Sequence, residues 1–136
     1  QSKGGSQPPK KRIVVIELIK IIFPYSPKKN KANVIDESIP LVEVGETAYK
    51  KHACNTCHSI DGSSMIGPSF KGIWNTMAEH VSTEDKLVDE NYIRESILYP
   101  QKHIVKGYEN GNMPSYKGLI KDREIEGVIE YIKSLK

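Results

Sequence analysis

Both cysteines of this chain fall within four positions, in Cys54-Asn55-Thr56-Cys57, and His58 follows at once. Two thiols at that spacing serve three chemistries: a redox disulfide, half of a zinc site, or paired thioether attachment to the vinyl groups of a haem. Each demands a different fold. A thioredoxin-like disulfide sits in a βαβ unit, a structural zinc site needs two further ligands, and a haem needs a helical shell with an axial ligand on each face.

The 136 residues are 38% hydrophobic and 27% charged, the composition of one soluble domain rather than a disordered or membrane-spanning chain. The net charge of +3 is unevenly spread. Residues 1–40 hold eight Lys/Arg against three Asp/Glu, whereas residues 41–136 hold twelve against fourteen. The basic excess therefore belongs to an N-terminal extension and bears on that extension's partner. Its first part, "QSKGGSQPPKK", cannot bury apolar surface and reads as a tail. Ile13 to Phe23 is apolar except for Glu17 and Lys20, which stand on one helical face, so a short amphipathic helix is favoured over a β-branched strand. Eleven residues are too few to cross a bilayer, which takes about 20. No cleavage-site pattern accompanies the run, so the numbering is expected to start on a processed or trimmed chain. This run packs on the protein's own surface, or docks on a partner or membrane. Three prolines and a lysine cluster then read as a linker up to Pro40.

Beyond residue 40 the pattern is helical. Gly45 and Tyr49 share a helical face that leads directly into the cysteine pair. "DGSSMIGPSFKG" reads as an irregular loop. Asp89 is the expected N-cap of a helix over 90–98, with Ile93 and Ile97 inward and Pro100 stopping it. Asp122 is expected to cap a last helix whose Ile125, Val128, Ile129, Ile132 and Leu135 form one apolar stripe. No segment alternates convincingly with period two. The expected class is all-α, with an extension over 1–40 and one domain over 41–136.

An all-α chain disfavours the redox disulfide. The remaining histidines, His52, His80 and His103, are scattered singly and read as surface or hydrogen-bonded residues, which leaves zinc without a second ligand pair. Haem attachment through Cys54 and Cys57, with His58 as axial ligand, fits best. For the opposite face, Met65 lies only seven residues past His58 and Met77 sits in a polar stretch. Met113 lies far downstream in the turn-rich "GNMPSY", beside a proline that fixes the backbone, and is the expected sixth ligand. Its bland alternative is a gap-filling core methionine.

In order, "GETAYKKHACNTCH", "GPSF", "ENYIRESILYP", "GNMP" and "EGVIEYIKSL" resemble the class I mono-haem cytochromes c from Val44 to Lys136. The resemblance implies three main helices around one covalent haem c, held by Cys54 and Cys57 and ligated by His58 and Met113. It implies that the Pro68 carbonyl accepts from the His58 ring and that Gly45 and Tyr49 cross the last helix at Val128 and Tyr131. Trp74 stands where the family often lines the pocket with an aromatic, reaching a haem propionate or simply packing. More narrowly, "GPSFKGIW", "DENYIRESILYPQKHIVKGY" and "MPSYKGL" are similar to the cytochrome c domain fused to subunit II of bacterial haem-copper oxidases. Such a subunit also has a dinuclear copper domain with its own cysteine pair, which this chain lacks, and everything before Val44 departs from that family.

The resemblance implies an electron-transfer protein rather than an enzyme, working in the periplasm at the outer face of the inner membrane. Its expected partners are a membrane respiratory complex, either quinol-oxidising or a terminal oxidase, or another cytochrome. Residues 10–31 are a candidate membrane-surface contact, and no nucleic-acid partner is expected. The competing class is a haem sensor or peroxidase-like protein with a labile sixth ligand.

Overall fold

The structure is a computed structural model and describes residues 37–136. The tail, the Ile13 to Phe23 helix and the basic contact over 10–31 lie outside the described residues. Pro40 opens the first helix, α1 (Leu41–Lys51): its ring holds φ at −56°, and its carbonyl accepts from the N–H groups of Glu43 and Val44. Glu43 in the first turn and Lys50 and Lys51 in the last complement the helix dipole. The helix ends at His52, and Ala53 then takes a left-handed φ of 55°, a conformation that costs a non-glycine residue about 1 kcal/mol. That reversal turns the chain into a short 3-10 turn, Cys54–Thr56, carrying the first cysteine.

Helix α2 (Glu90–Leu98) begins as expected, with the Asp89 carboxylate accepting from the Tyr92 N–H at 2.8 Å, and it buries Ile93 and Ile97. Helix α3 (Asp122–Ser134) starts one residue earlier than the sequence suggests. Lys121, extended at φ −84° and ψ 153°, is the capping position, and Asp122 is the first helical residue. The cap comes from inside the helix, where the Glu124 carboxylate reaches back to the Lys121 N–H at 3.0 Å. The α3 stripe is the centre of the core: Ile125, Val128 and Ile132 are at most 2% exposed and Ile129 is buried beside them. Each such side chain contributes about 1.5–3 kcal/mol. Leu135 falls just past the helix and is half-buried.

Helices α1 and α3 make the principal crossing, where Gly45 and Tyr49 both meet Tyr131 as the resemblance implies. A Cβ at Gly45 would overlap the backbone carbonyl of Gly127 and stand 2.8 Å from Tyr131 Cβ. A Cβ at Gly127 would in turn stand 2.6 Å from Gly45 N. Two facing glycines, Gly45 and Gly127, therefore set the distance between the helices. The fold is helical as expected apart from a two-residue antiparallel ladder, β1 (Met77–Ala78) with β2 (Lys86–Leu87), Met77 opposite Leu87. Strands of two residues are too short to show period-two alternation, so sequence patterning passes over them. His80 and Val105 add an isolated bridge, which joins this loop to the segment after α2.

Candidate metal centre

One cavity, bounded by the cysteine turn, α2, the face of α3 and the loop over 108–116, is lined by Cys54, Cys57, His58 and Met113 together. Its other walls are largely aliphatic, among them Ile93, Ile97, Val128 and Ile132. Cys54 opens the 3-10 turn and Cys57 follows it, both half-buried, and burial pushes the free Cys54 thiol up.

His58 is held on every side. Its Nδ1 stands 2.7 Å from the Pro68 carbonyl, which can only accept, so Nδ1 carries the proton and Nε2 keeps its lone pair. Burial lowers the ring's pKa despite that hydrogen bond, keeping it neutral. Phe70 stacks on one face at 4.7 Å between ring centroids and 25° between planes. Gly67 lies so close that a Cβ there would stand 2.9 Å from Nδ1 and 3.1 Å from Nε2. The Tyr49 hydroxyl donates to the His58 backbone carbonyl at 2.5 Å. The result is a neutral imidazole with one free nitrogen on the wall of an apolar cavity beside two thiols. That donor set fits a c-type haem: two sulfurs for thioethers, one basic nitrogen for iron, and an aliphatic shell for the macrocycle.

Met113 is half-buried and lines the cavity, while Met65 and Met77 are exposed and lie outside it. Trp74 packs against the core but does not line the cavity; Lys133 Nζ sits 4.7 Å above its ring, tied to Glu90 and Glu130. The other histidines are hydrogen-bonded as the sequence suggests. His80 is buried between the Glu84 carbonyl and the Tyr92 hydroxyl, His52 meets Glu124 at 3.2 Å, and His103 lies against Thr83 and Glu95. Among the described residues no three His, Cys, Asp or Glu side chains gather as a metal site.

Phe70, Gly67 and Gly127 carry functions that sequence patterning did not assign. Gly127 does leave a signal, since a glycine inside an otherwise strong helical stripe costs about 1 kcal/mol and so marks a close approach. Phe70 leaves none that separates it from an ordinary core aromatic.

Residues 42–136 match the family described as cytochrome c. The chain is 27% identical over 90 residues to cytochrome c2 iso-2 of Magnetospirillum molischianum, covering 61% of this chain and 91% of the relative. It is 30% identical over 101 residues to cytochrome c2 iso-1 of Magnetospirillum fulvum, covering 66% and 96% respectively. To cytochrome c2 of Rhodospirillum rubrum it is 30% identical over 110 residues, covering 68% and 78%. The matched span holds the three helices, save the first residue of α1, and the whole cavity, and the chain accordingly belongs to the cytochrome c family, as an electron-transfer protein with one haem c bound covalently through Cys54 and Cys57.

Proposed function

We propose that this protein carries single electrons in a bacterial respiratory chain, with His58 and Met113 as the two axial ligands of its haem. The observation that carries the ligand assignment is the cavity lining: of three methionines, Met113 alone shares a cavity with His58 and both cysteines. When bound, the haem supplies a one-electron iron couple, and a thioether ligand raises its potential into a range useful to respiration. The chain's own part is to keep both ligands fixed and water out, so that little rearranges on transfer. The Pro68 carbonyl fixes the His58 tautomer and ring angle. Trp74, outside the cavity and under Lys133, packs rather than touching a propionate.

The partner is a membrane respiratory complex, quinol-oxidising or a terminal oxidase, or another cytochrome, met on the periplasmic face of the inner membrane. Support comes from the likeness of residues 67–74, 89–108 and 113–119 to oxidase-fused cytochrome domains, and from the basic, apolar composition of residues 10–31. No helix among the described residues is long and apolar enough to cross a membrane. Contacts of this kind are small and weak, which suits rapid turnover.

Visible spectra and carbon monoxide test the ligand assignment. The reduced wild-type protein should resist carbon monoxide, and Met113→Ala should bind it readily at a lower potential. A wild type that binds carbon monoxide at once would instead favour a sensor or peroxidase-like protein. Co-sedimentation with native membranes tests the extension. A chain starting at Leu41 should keep the haem spectrum but lose salt-sensitive association, since exposed charges are screened beyond about 10 Å at 0.1 M salt. Equal sedimentation of both chains would remove the extension as an anchor.

A further inference from the structure

The loop carrying Met113 is tied by two hydrogen bonds to α2 and by a third to Gln101, three residues beyond it. Ser115 Oγ donates to the Leu98 carbonyl at 2.7 Å, the Tyr116 N–H donates to the Ile97 carbonyl at 3.1 Å, and Gln101 Nε2 donates to the Met113 carbonyl at 3.2 Å. A fourth bond leaves this side of the molecule. The Tyr116 hydroxyl donates to the His52 carbonyl at 2.9 Å, 64 positions back in the sequence. His52 ends α1, where helix carbonyls lack intrahelical partners, and among the described residues no backbone N–H donates to this one. The Tyr116 ring lines the cavity and meets the His52 imidazole edge-on at 5.9 Å. The Glu124 carboxylate, at 3.2 Å, steadies that imidazole from α3. One phenol therefore joins the segment entering the cysteine turn to the Met113 loop, and it does so three residues from Met113.

We infer that Tyr116 is the positioning residue that keeps Met113 on the iron, its hydroxyl strapping the distal loop to His52. This rests on Met113 being the sixth ligand. Displacement of Met113 by an external ligand requires the loop to swing out, which breaks the iron–sulfur bond and, with it, the Tyr116–His52 hydrogen bond. Without the hydroxyl the loop opens more often, and the part-buried His52 carbonyl loses its donor in both states.

The test is the rate at which cyanide binds the ferric, full-length holoprotein. Tyr116→Phe, which keeps the ring, should bind cyanide about five- to tenfold faster than wild type, the effect of losing one such hydrogen bond. Ile129→Val loses comparable stability through a core residue that lines neither cavity nor loop, and should leave the rate within about twofold. A Tyr116→Phe rate within about twofold of wild type, or equal acceleration by Ile129→Val, would overturn the strap. Met113→Ala separates the ligand from the strap. If it binds cyanide no faster than wild type, the ligand assignment itself fails; if it binds fast and Tyr116→Phe does not, only the strap fails. Should Tyr116→Phe not accumulate as holoprotein, wild type answers by hydrogen exchange. Saturating imidazole, which displaces a thioether from ferric iron, should then deprotect residues 113–120 while residues 54–58 stay protected, and unchanged protection over 113–120 would overturn the strap.

Discussion

His58 finds its partners close by along the chain: Tyr49 nine positions before it and Pro68 ten after. The Met113 loop finds its partners at Leu98, Ile97 and, through Tyr116, as far back as His52. The first wall is a local structure, closed by short loops such as Gly67 N–H to the Cys57 carbonyl and Phe70 N–H to the Ser59 carbonyl. The second is an exposed, turn-rich loop, with Asn112, Pro114, Ser115 and residues 117–119 at the surface. Short-range contacts form at small entropic cost, whereas long-range ones wait for the helices to pack. The two walls of the cavity should therefore differ in stability, the cysteine side opening only with the whole domain and the Met113 side opening locally.

The largest test removes the stronger side. Replacing Cys54 and Cys57 together with alanine should leave no haem attached after acid–acetone extraction, and far-ultraviolet circular dichroism should show most of the helix lost, because Ile93, Ile97, Val128 and Ile132 all line the cavity that holds the two cysteines. A variant that stays helical without haem would show that the α1–α3 crossing stands alone. Next in size is that crossing itself. Gly45→Ala drives a methyl group into the Gly127 carbonyl, and with backbone on both sides nothing flexible can yield. A cost of about 3 kcal/mol is expected, lowering the melting temperature by at least about 12 °C. A much smaller fall would mean that the two helices slide apart without cost, and that the cysteine side is less rigid than its contacts indicate.

The same contrast decides what the sequence could reveal. The cysteine side was legible because its chemistry is compressed into five residues, and α2 and α3 because their apolar stripes and the Asp89 cap are periodic signals. Three features escaped for physical reasons. The α3 cap comes from Glu124 inside the helix, so that a carboxylate at Asp122 looked like the cap. The ladder at Met77–Ala78 is too short to have a period. The pairing of Gly45 with Gly127, and of Tyr116 with His52, joins positions more than 60 residues apart, and no local pattern encodes such a meeting.

The smallest effect probes the point where the two sides meet. Burial opposes the charge on Glu124 most strongly, yet the Lys121 N–H, Lys51 Nζ at 2.6 Å and His52 outweigh it and hold the carboxyl at about 2. A carboxylate depressed in the folded state stabilises it fully above the ordinary value of 4.5, and that stabilisation drains as pH falls towards 2. Glu124→Gln should therefore cost about 1 kcal/mol near neutral pH, a modest figure because Lys51 is solvent-exposed and its attraction is screened. Asp61, Glu95 and Glu109 are also depressed, so wild type alone cannot isolate this group. The difference between wild type and variant can: thermal melts from about pH 7 to pH 2 should show the two curves converging below about pH 4.5. Parallel curves across that range would mean that Glu124 acts only as a neutral cap on α3. His52, the anchor of the distal strap, would then be held by its ring packing on Tyr116 and not by charge.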